Sequence, residues 1–159
     1  MKILLAIDGS PHSVLAVKQV ATQPWPRNSS VEILTVIHPT IPILTEPTLM
    51  LAATSVQQAQ ELRAVAPRVL DAARKQIARS APGLTVTTKI LDGVPAHVIV
   101  DEAREWGADL IVLGSHGYGF ITRMILGSVA GAVVGDAPCS VQVVRQRVQD
   151  DASHPVANR

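Results

Sequence analysis

Short apolar runs alternate with helix-patterned stretches along most of this chain, and that alternation restricts the fold more than any single residue does. Five runs read as strands: KILLAI (2–7), VEILTVI (31–37), LTVTTKIL (84–91), ADLIVLG (108–114) and SVQVVR (140–145). Each is bounded by turn formers and is rich in aliphatic side chains, as strands buried on both faces are. Four helical patterns separate them. The first takes Ser10 as N-cap and Pro11 as its first helical residue, repeats Val14, Val17 and Ala21 on one face, and stops before Trp25-Pro26. The second covers about residues 56–79 with Leu70, Ala73 and Ile77 on one stripe, and Pro67 is expected to kink or restart it. The third starts at Pro95, turns Ile99, Ala103 and Trp106 inward and ends on Gly107 as a C-cap; the fourth, VAGAVVG, follows Ser128.

Strict strand–helix alternation predicts βαβ units with right-handed crossovers, and therefore an α/β fold with a parallel sheet covered by helices on both faces. A composition that is 47% hydrophobic but 3% aromatic fits such an aliphatic core. Ligands of these sheets sit beyond the carboxyl ends of the strands, where the strand order reverses. The order does not follow from the pattern. An order of 3-2-1-4-5 would put the reversal between strands one and four, with Asp8 and Gly9 facing Gly114 across one crevice.

At 159 residues the chain has the size of one domain, taken as residues 1–145, followed by a polar tail (146–159) expected to be disordered. Residues 38–55, with three prolines and no clean period, are expected to form a partly ordered loop over the crevice. Fourteen basic residues against thirteen acidic give a net charge of +1, and their scatter offers no field for nucleic acid or an anionic membrane. Only five apolar residues lie between Lys2 and Asp8, too few for a signal core or a membrane span. Cys139 is the single cysteine, so no internal disulfide can form. It reads as a packing residue, and the chain as a cytoplasmic protein.

The chemistry concentrates in GSHGYGFITRMILGS (114–128), where Gly114, Gly117, Gly127 and Ser128 spell GxxGx9GS between a strand and a helix. Glycines let main-chain N–H groups approach an anion closely, and a helix N-terminus adds a favourable dipole. The Walker pattern is absent because no GK dipeptide occurs, and GxGxxG fails at Thr122. His116 has no second histidine or carboxylate at triad or metal spacing, so it reads as a loop residue presenting its backbone. Arg123, inside the spacer, is open between a phosphate contact and a solvated side chain.

With AIDGS (6–10), LTVIHP (34–39), GVP (93–95), ADLIVLGSHG (108–117), GS (127–128) and APCSVQVVR (137–145), the chain resembles the universal stress protein family, in its ATP-binding branch. The resemblance spans residues 2–145 and implies a five-stranded parallel sheet of order 3-2-1-4-5. It further implies bound ATP, or another adenine nucleotide, with Mg²⁺ held by the phosphates.

On that resemblance Asp8 would accept the ribose hydroxyls; the alternative reading is an electrostatic partner of the Ser10 helix. Val36 would meet the adenine edge through its backbone, or be plain strand packing, with Ile7 and Pro11 as apolar walls. Gly114, Ser115, His116 and Gly117 would wrap the phosphates. Gly127 would allow close approach, and Ser128 would donate its hydroxyl and amide, a role compatible with N-capping. The resemblance also implies a homodimer through the fifth strand (140–145), which would cover the edge carrying Val141, Val143 and Val144.

With no P-loop lysine, water-positioning partner or acidic metal pair in view, the expected function is nucleotide-dependent regulation in a stress response, with slow or no hydrolysis. Two alternatives stand beside it. One is a receiver-like phosphoacceptor using Asp8, Asp92 and Ser115, and the other a slow ATPase.

Overall fold

The computed structural model describes residues 1–38, 49–117 and 126–145, and for 49–58 the backbone alone. The elements in chain order are β1 (Lys2–Ala6), α1 (Pro11–Thr22), β2 (Ser30–Ile37), α2 (Leu49–Ser80), β3 (Thr85–Asp92), α3 (Pro95–Trp106), β4 (Leu110–Gly114), α4 (Ser128–Asp136) and β5 (Ser140–Val144). The strands form one parallel sheet of order β3-β2-β1-β4-β5. This is the α/β fold expected, and the order is the one that places the reversal between β1 and β4.

Side-chain alternation along the strands divides the core in two. Ile3, Leu5, Val31, Ile33 and Val112 face α1 and α2, where they meet Ala16, Val17, Val20, Leu70, Ala73 and Ile77. Leu4, Leu34, Ile111 and Leu113 face the other way, against Ile99, Val100 and Ala103 of α3 and Ala130 and Val133 of α4. Cys139 and Trp106 pack partly buried against this second layer. Glu32, 9% exposed on β2, and Glu102, 4% exposed on α3, are charged-type residues enclosed in that same layer. Lys89 of β3 donates to Glu102 at 2.6 Å.

Local chemistry explains the helix limits. The Ser10 hydroxyl accepts the Ser13 amide at 3.3 Å, and Pro11 supplies the first helical residue of α1. Trp25 closes its far end by donating Nε1–H to the Val20 carbonyl at 2.8 Å. Gly107 ends α3 in the left-handed region, φ 70° and ψ 50°, with its amide on the Ala103 and Arg104 carbonyls.

Several expected boundaries and faces are corrected. Helix α2 starts at Leu49 rather than near residue 56 and runs through Pro67 without restarting. The proline removes one amide, while Ala66, Leu70, Ala73 and Ile77 remain buried on both sides of it, so packing holds the helix together. Val14 is 55% exposed, because the buried stripe of α1 is Ser13, Ala16, Val17, Val20 and Ala21, with Val14 at its edge. Strand β4 begins at Leu110, since the Ala108 amide is taken by the Ala103 carbonyl as α3 ends. The N-cap of α4 is Gly127, with no side-chain cap bond, and Ser128 is the first helical residue. Most of the expected 38–55 loop, the spacer residues 118–125 with Arg123, and the 146–159 tail lie outside the described residues.

Candidate functional site

A cavity of about 350 Å³ opens beyond the carboxyl ends of β1 and β4, at the reversal of strand order. Its two ends differ in chemistry. Leu34, Val36, Pro95, Ile99 and Leu113 make one end apolar, drawing on β2, α3 and β4. Asp8, Ser115, His116, Gly117, Gly127 and Ser128 make the other end polar. An apolar slot continuous with a few convergent polar groups is the usual form of a small-molecule site.

Hydrogen bonds hold the polar end from several sides. Ser115 is 1% exposed; its amide donates to the Val144 carbonyl at 2.9 Å, and its carbonyl accepts the Gly127 amide at 2.9 Å. The Ser10 hydroxyl donates to the His116 carbonyl at 3.4 Å. The loop after β4 is therefore tied to β5, to the start of α4 and to the start of α1. Glycine is required for this closeness. A Cβ on Gly114 would stand 2.8 Å from the His12 carbonyl carbon, and one on Gly127 would stand 3.0 Å from the Ser115 carbonyl oxygen.

Asp8 meets this loop from just beyond the end of β1. Its Oδ1 accepts the Ser10 amide at 2.9 Å, so it does serve the start of α1. Its Oδ2 lies where a Cβ on Gly117 would be 2.7 Å away, which puts the carboxylate against the loop. The two segments expected to converge are brought together. Val36 also reaches the cavity, and for a backbone reason: β2 pairs with β1 only as far as Leu34 but with β3 as far as Ile37. The β1-facing backbone edge of Val36 therefore lies beyond the ladder.

Of the residues expected at the site, Ile7, Asp8, Val36, Gly114, Ser115, His116, Gly117, Gly127 and Ser128 line the cavity. Pro11 does not; it is exposed at the first position of α1. The sequence reading missed Leu34, Pro95, Ile99 and Leu113, which make up most of the apolar end. Two signals were available: Leu34 precedes Val36 by one strand repeat, and Pro95 opens α3 directly after Gly93. The receiver-like arrangement does not assemble. Asp92 ends β3, two strands away from β1, and pairs there with Arg63. Among the described residues, no group of three or more His, Cys, Asp or Glu could hold a metal ion, and no helix is long and apolar enough to cross a membrane.

The family model for universal stress proteins matches residues 1–145. The chain belongs to the universal stress protein family. A universal stress protein of Thermus aquaticus is 31% identical over 144 residues, covering 90% of this chain and 97% of the relative. Another, MJ0531 of Methanocaldococcus jannaschii, is 45% identical over 64 residues, which are 40% of this chain but only 38% of the relative's length. A putative universal stress protein of Staphylococcus epidermidis matches over 49% of its length.

Among solved structures, protein MJ0577 superposes with a TM-score of 0.75 at 26% identity, covering 93% of this chain and 97% of that one. Three more distant universal stress proteins of the same fold were solved as nucleotide complexes. One holds cAMP (TM-score 0.65, 21% identity, 91% and 96% covered). One from Arabidopsis thaliana holds AMP (0.59, 18%, 92% of each chain). One from Archaeoglobus fulgidus holds dAMP (0.54, 22%, 91% and 98%).

Proposed function

We propose that this universal stress protein holds an adenine nucleotide, ATP in the first instance, in the cavity between β1 and β4, and that the bound nucleotide biases its conformation or partner affinity during stress. The observation that carries the reading is the continuity of an apolar slot with a glycine-rich, polar end facing a carboxylate. Complexes of structural neighbours with AMP, dAMP and cAMP support an adenylate as the ligand class. The base would lie between Val36, Pro95 and Ile99, reading the Val36 backbone edge. Asp8 would accept ribose hydroxyls through Oδ2. The Gly114–Gly117 loop and the hydroxyl and amide of Ser128 would meet the phosphates at the start of α4, with Gly127 allowing the close approach; the dipole of that helix favours negative charge.

Mg²⁺ would be held by the phosphates and would neutralise part of their charge. The described lining offers it a single carboxylate, Asp8, one oxygen of which is occupied by the Ser10 amide. A holder with slow hydrolysis suits that lining better than a fast ATPase, which needs a positioned base and charge-neutralising groups at the terminal phosphate. Small molecules released by denaturing the freshly purified protein should include an adenine nucleotide in near-stoichiometric amount by mass spectrometry. Empty protein that also fails to take up added ATP would refute the reading.

The same reading gives a homodimer through β5. That strand is the sheet edge beside β4, with Val141 and Val143 only half-buried. Val143→Lys is expected to convert a dimer into a monomer in light scattering; a dimer untouched by the change would point to a different interface.

A further inference from the structure

Helices α1 and α2 do not close completely on one another. A groove of about 210 Å³ opens between them, lined chiefly by Val14, Val17, Val69, Ala72, Ala73 and Gln76. Val65 and Leu62 precede Val69 by four and seven residues on the same stripe of α2, and they are 49% and 40% exposed. With Val14 they are the large apolar side chains that the described parts of α1 and α2 leave in solvent. From Leu62 to Gln76 the stripe spans about 21 Å of helix. Small-molecule cavities are usually larger, about 300–1,000 Å³, with convergent polar groups. Here the polar side chains of the lining are Ser13 and Gln76, and the Ser13 hydroxyl already donates to the Ser10 carbonyl at 2.9 Å. The groove suits the side chains of a macromolecule.

Charge narrows the choice of occupant. Lys18 follows Val14 by four residues on α1, while Arg68 and Arg79 follow Val65 and Gln76 by three on α2; these spacings set each beside its neighbour on the helix surface. All three are exposed, and among the described residues none of them makes an ion pair. Helix α1 contains no acidic residue. On α2, Asp71 is held by Arg74 and Lys75, and Glu61, one turn before Val65, has an interaction of its own. A second copy of this chain is the wrong occupant. A two-fold contact sets one patch against itself, so Lys18, Arg68 and Arg79 would meet a rim of their own sign, and facing like charges are costly.

We propose that the α1–α2 groove docks an amphipathic helix of another protein, whose apolar stripe enters between Val14 and Val69 and whose flanks carry Asp and Glu against Lys18, Arg68 and Arg79. Helix-in-groove recognition reads such a stripe as anchors at i, i+3 or i+4, and i+7. The anchors supply most of the affinity, because exposed rim charges are screened by water and salt. The rim sets partner choice and encounter rate. The inference needs no bound nucleotide, so it stands or falls apart from the reading of the cavity between β1 and β4.

Fluorescence anisotropy with labelled helical peptides of about 18 residues tests the docking site. One peptide carries leucines at the anchor spacing flanked by glutamates, a second has every glutamate replaced by lysine, and a third has every leucine replaced by alanine. The full chain is expected to bind the first at least about tenfold more tightly than either of the others. Val14→Gln combined with Val65→Gln changes two exposed positions without adding charge, so the fold is kept while binding of the first peptide weakens about tenfold. Lys18→Glu combined with Arg68→Glu should reverse the preference in favour of the lysine-flanked peptide. No binding of the first peptide, equal binding of the glutamate and lysine peptides, or binding unmoved by Val14→Gln with Val65→Gln overturns the proposal. A light-scattering mass that falls in that glutamine variant would make the groove a contact between copies and overturn it too. So would capture by phosphatidylserine vesicles that the variant abolishes, which would make this face a membrane surface.

Discussion

A valine at position 127 is expected to weaken adenine-nucleotide binding by between about tenfold and a hundredfold while the protein still folds. The Cβ it introduces would lie 3.0 Å from the Ser115 carbonyl oxygen and 3.3 Å from the His116 Cα, both backbone atoms. Neither neighbour can move aside cheaply, because Ser115 is tied to Val144 and the His116 carbonyl to Ser10. The start of α4 must therefore separate from the loop, breaking the 2.9 Å bond between the Gly127 amide and the Ser115 carbonyl. Overpacking of this kind costs about 1–3 kcal/mol, and each 1.4 kcal/mol is about tenfold in affinity when the loss falls on the binding-competent geometry. Gly127 is not in the left-handed region, φ −56°, so backbone strain plays no part.

Gly114→Ala provides the contrast. Its Cβ would press on the His12 backbone, at the contact between α1 and β4, so its cost should appear as a lower unfolding midpoint as well as weaker binding. Titration of ATP alongside urea unfolding of both variants separates the two effects. Unchanged affinity in Gly127→Val would remove the phosphate loop from the proposed site.

The fold was legible because parallel strands must bury both faces. Ile3 to Ile7 and Val31 to Ile37 could not be read as half-exposed strands, and the capping chemistry of Ser10, Pro11, Pro95 and Gly107 marked where helices begin and end. The strand order was not written in those patterns; it came from the resemblance to a family, and the sheet has it. Propensity misled where packing decides. Pro67 looks like a break in isolation, yet the helix continues because residues on both sides of it are buried. Val14 fits an apolar stripe by spacing alone, but the stripe that meets the sheet is centred nearer Val17 and Val20.

The site was legible at its polar end and obscure at its apolar end for a similar reason. Glycines and Asp8 are conspicuous because their chemistry is local: a bare backbone beside an anion, a carboxylate beside hydroxyl donors. Leu34, Pro95, Ile99 and Leu113 look like any other core residues in sequence. They line a cavity only because β1 stops short of β2 and α3 begins just beyond the sheet, which is information held in the topology.

The polar cluster beneath α3 makes the second large prediction, on stability and pH. Glu32 is raised above its ordinary value of 4.5, first because burial penalises its charge, then because of the charge of Glu102 and the hydrogen bond shared with it; Lys89 partly offsets this. Its Oε1 is buried without a hydrogen-bond partner. A carboxyl whose native pKa exceeds its unfolded value binds its proton more tightly in the folded protein. Its contribution to stability is then complete below the ordinary value of 4.5 and is lost as the pH rises through the folded-state value.

Glu32→Gln keeps a group that can hydrogen-bond Glu102 and removes the buried charge, so it should stabilise the protein by about 1 kcal/mol near pH 8 and by little near pH 4. Lys89→Met acts in the opposite sense, leaving two enclosed carboxyls without their cation. About 2 kcal/mol should be lost near pH 8, below the range for fully buried pairs because the lysine side chain is 38% exposed. That loss should shrink towards pH 5 as a proton replaces the ammonium. Lys89 itself is raised, chiefly by its hydrogen bond to Glu102, so it stays charged across this window and adds no slope of its own. Urea unfolding of wild type, both single variants and the double variant at pH 5 and pH 8 gives the answer. Glu32→Gln should recover most of what Lys89→Met loses at pH 8; a gain from Glu32→Gln that is equal at both pH values would mean that the carboxyl pair does not hold the proton.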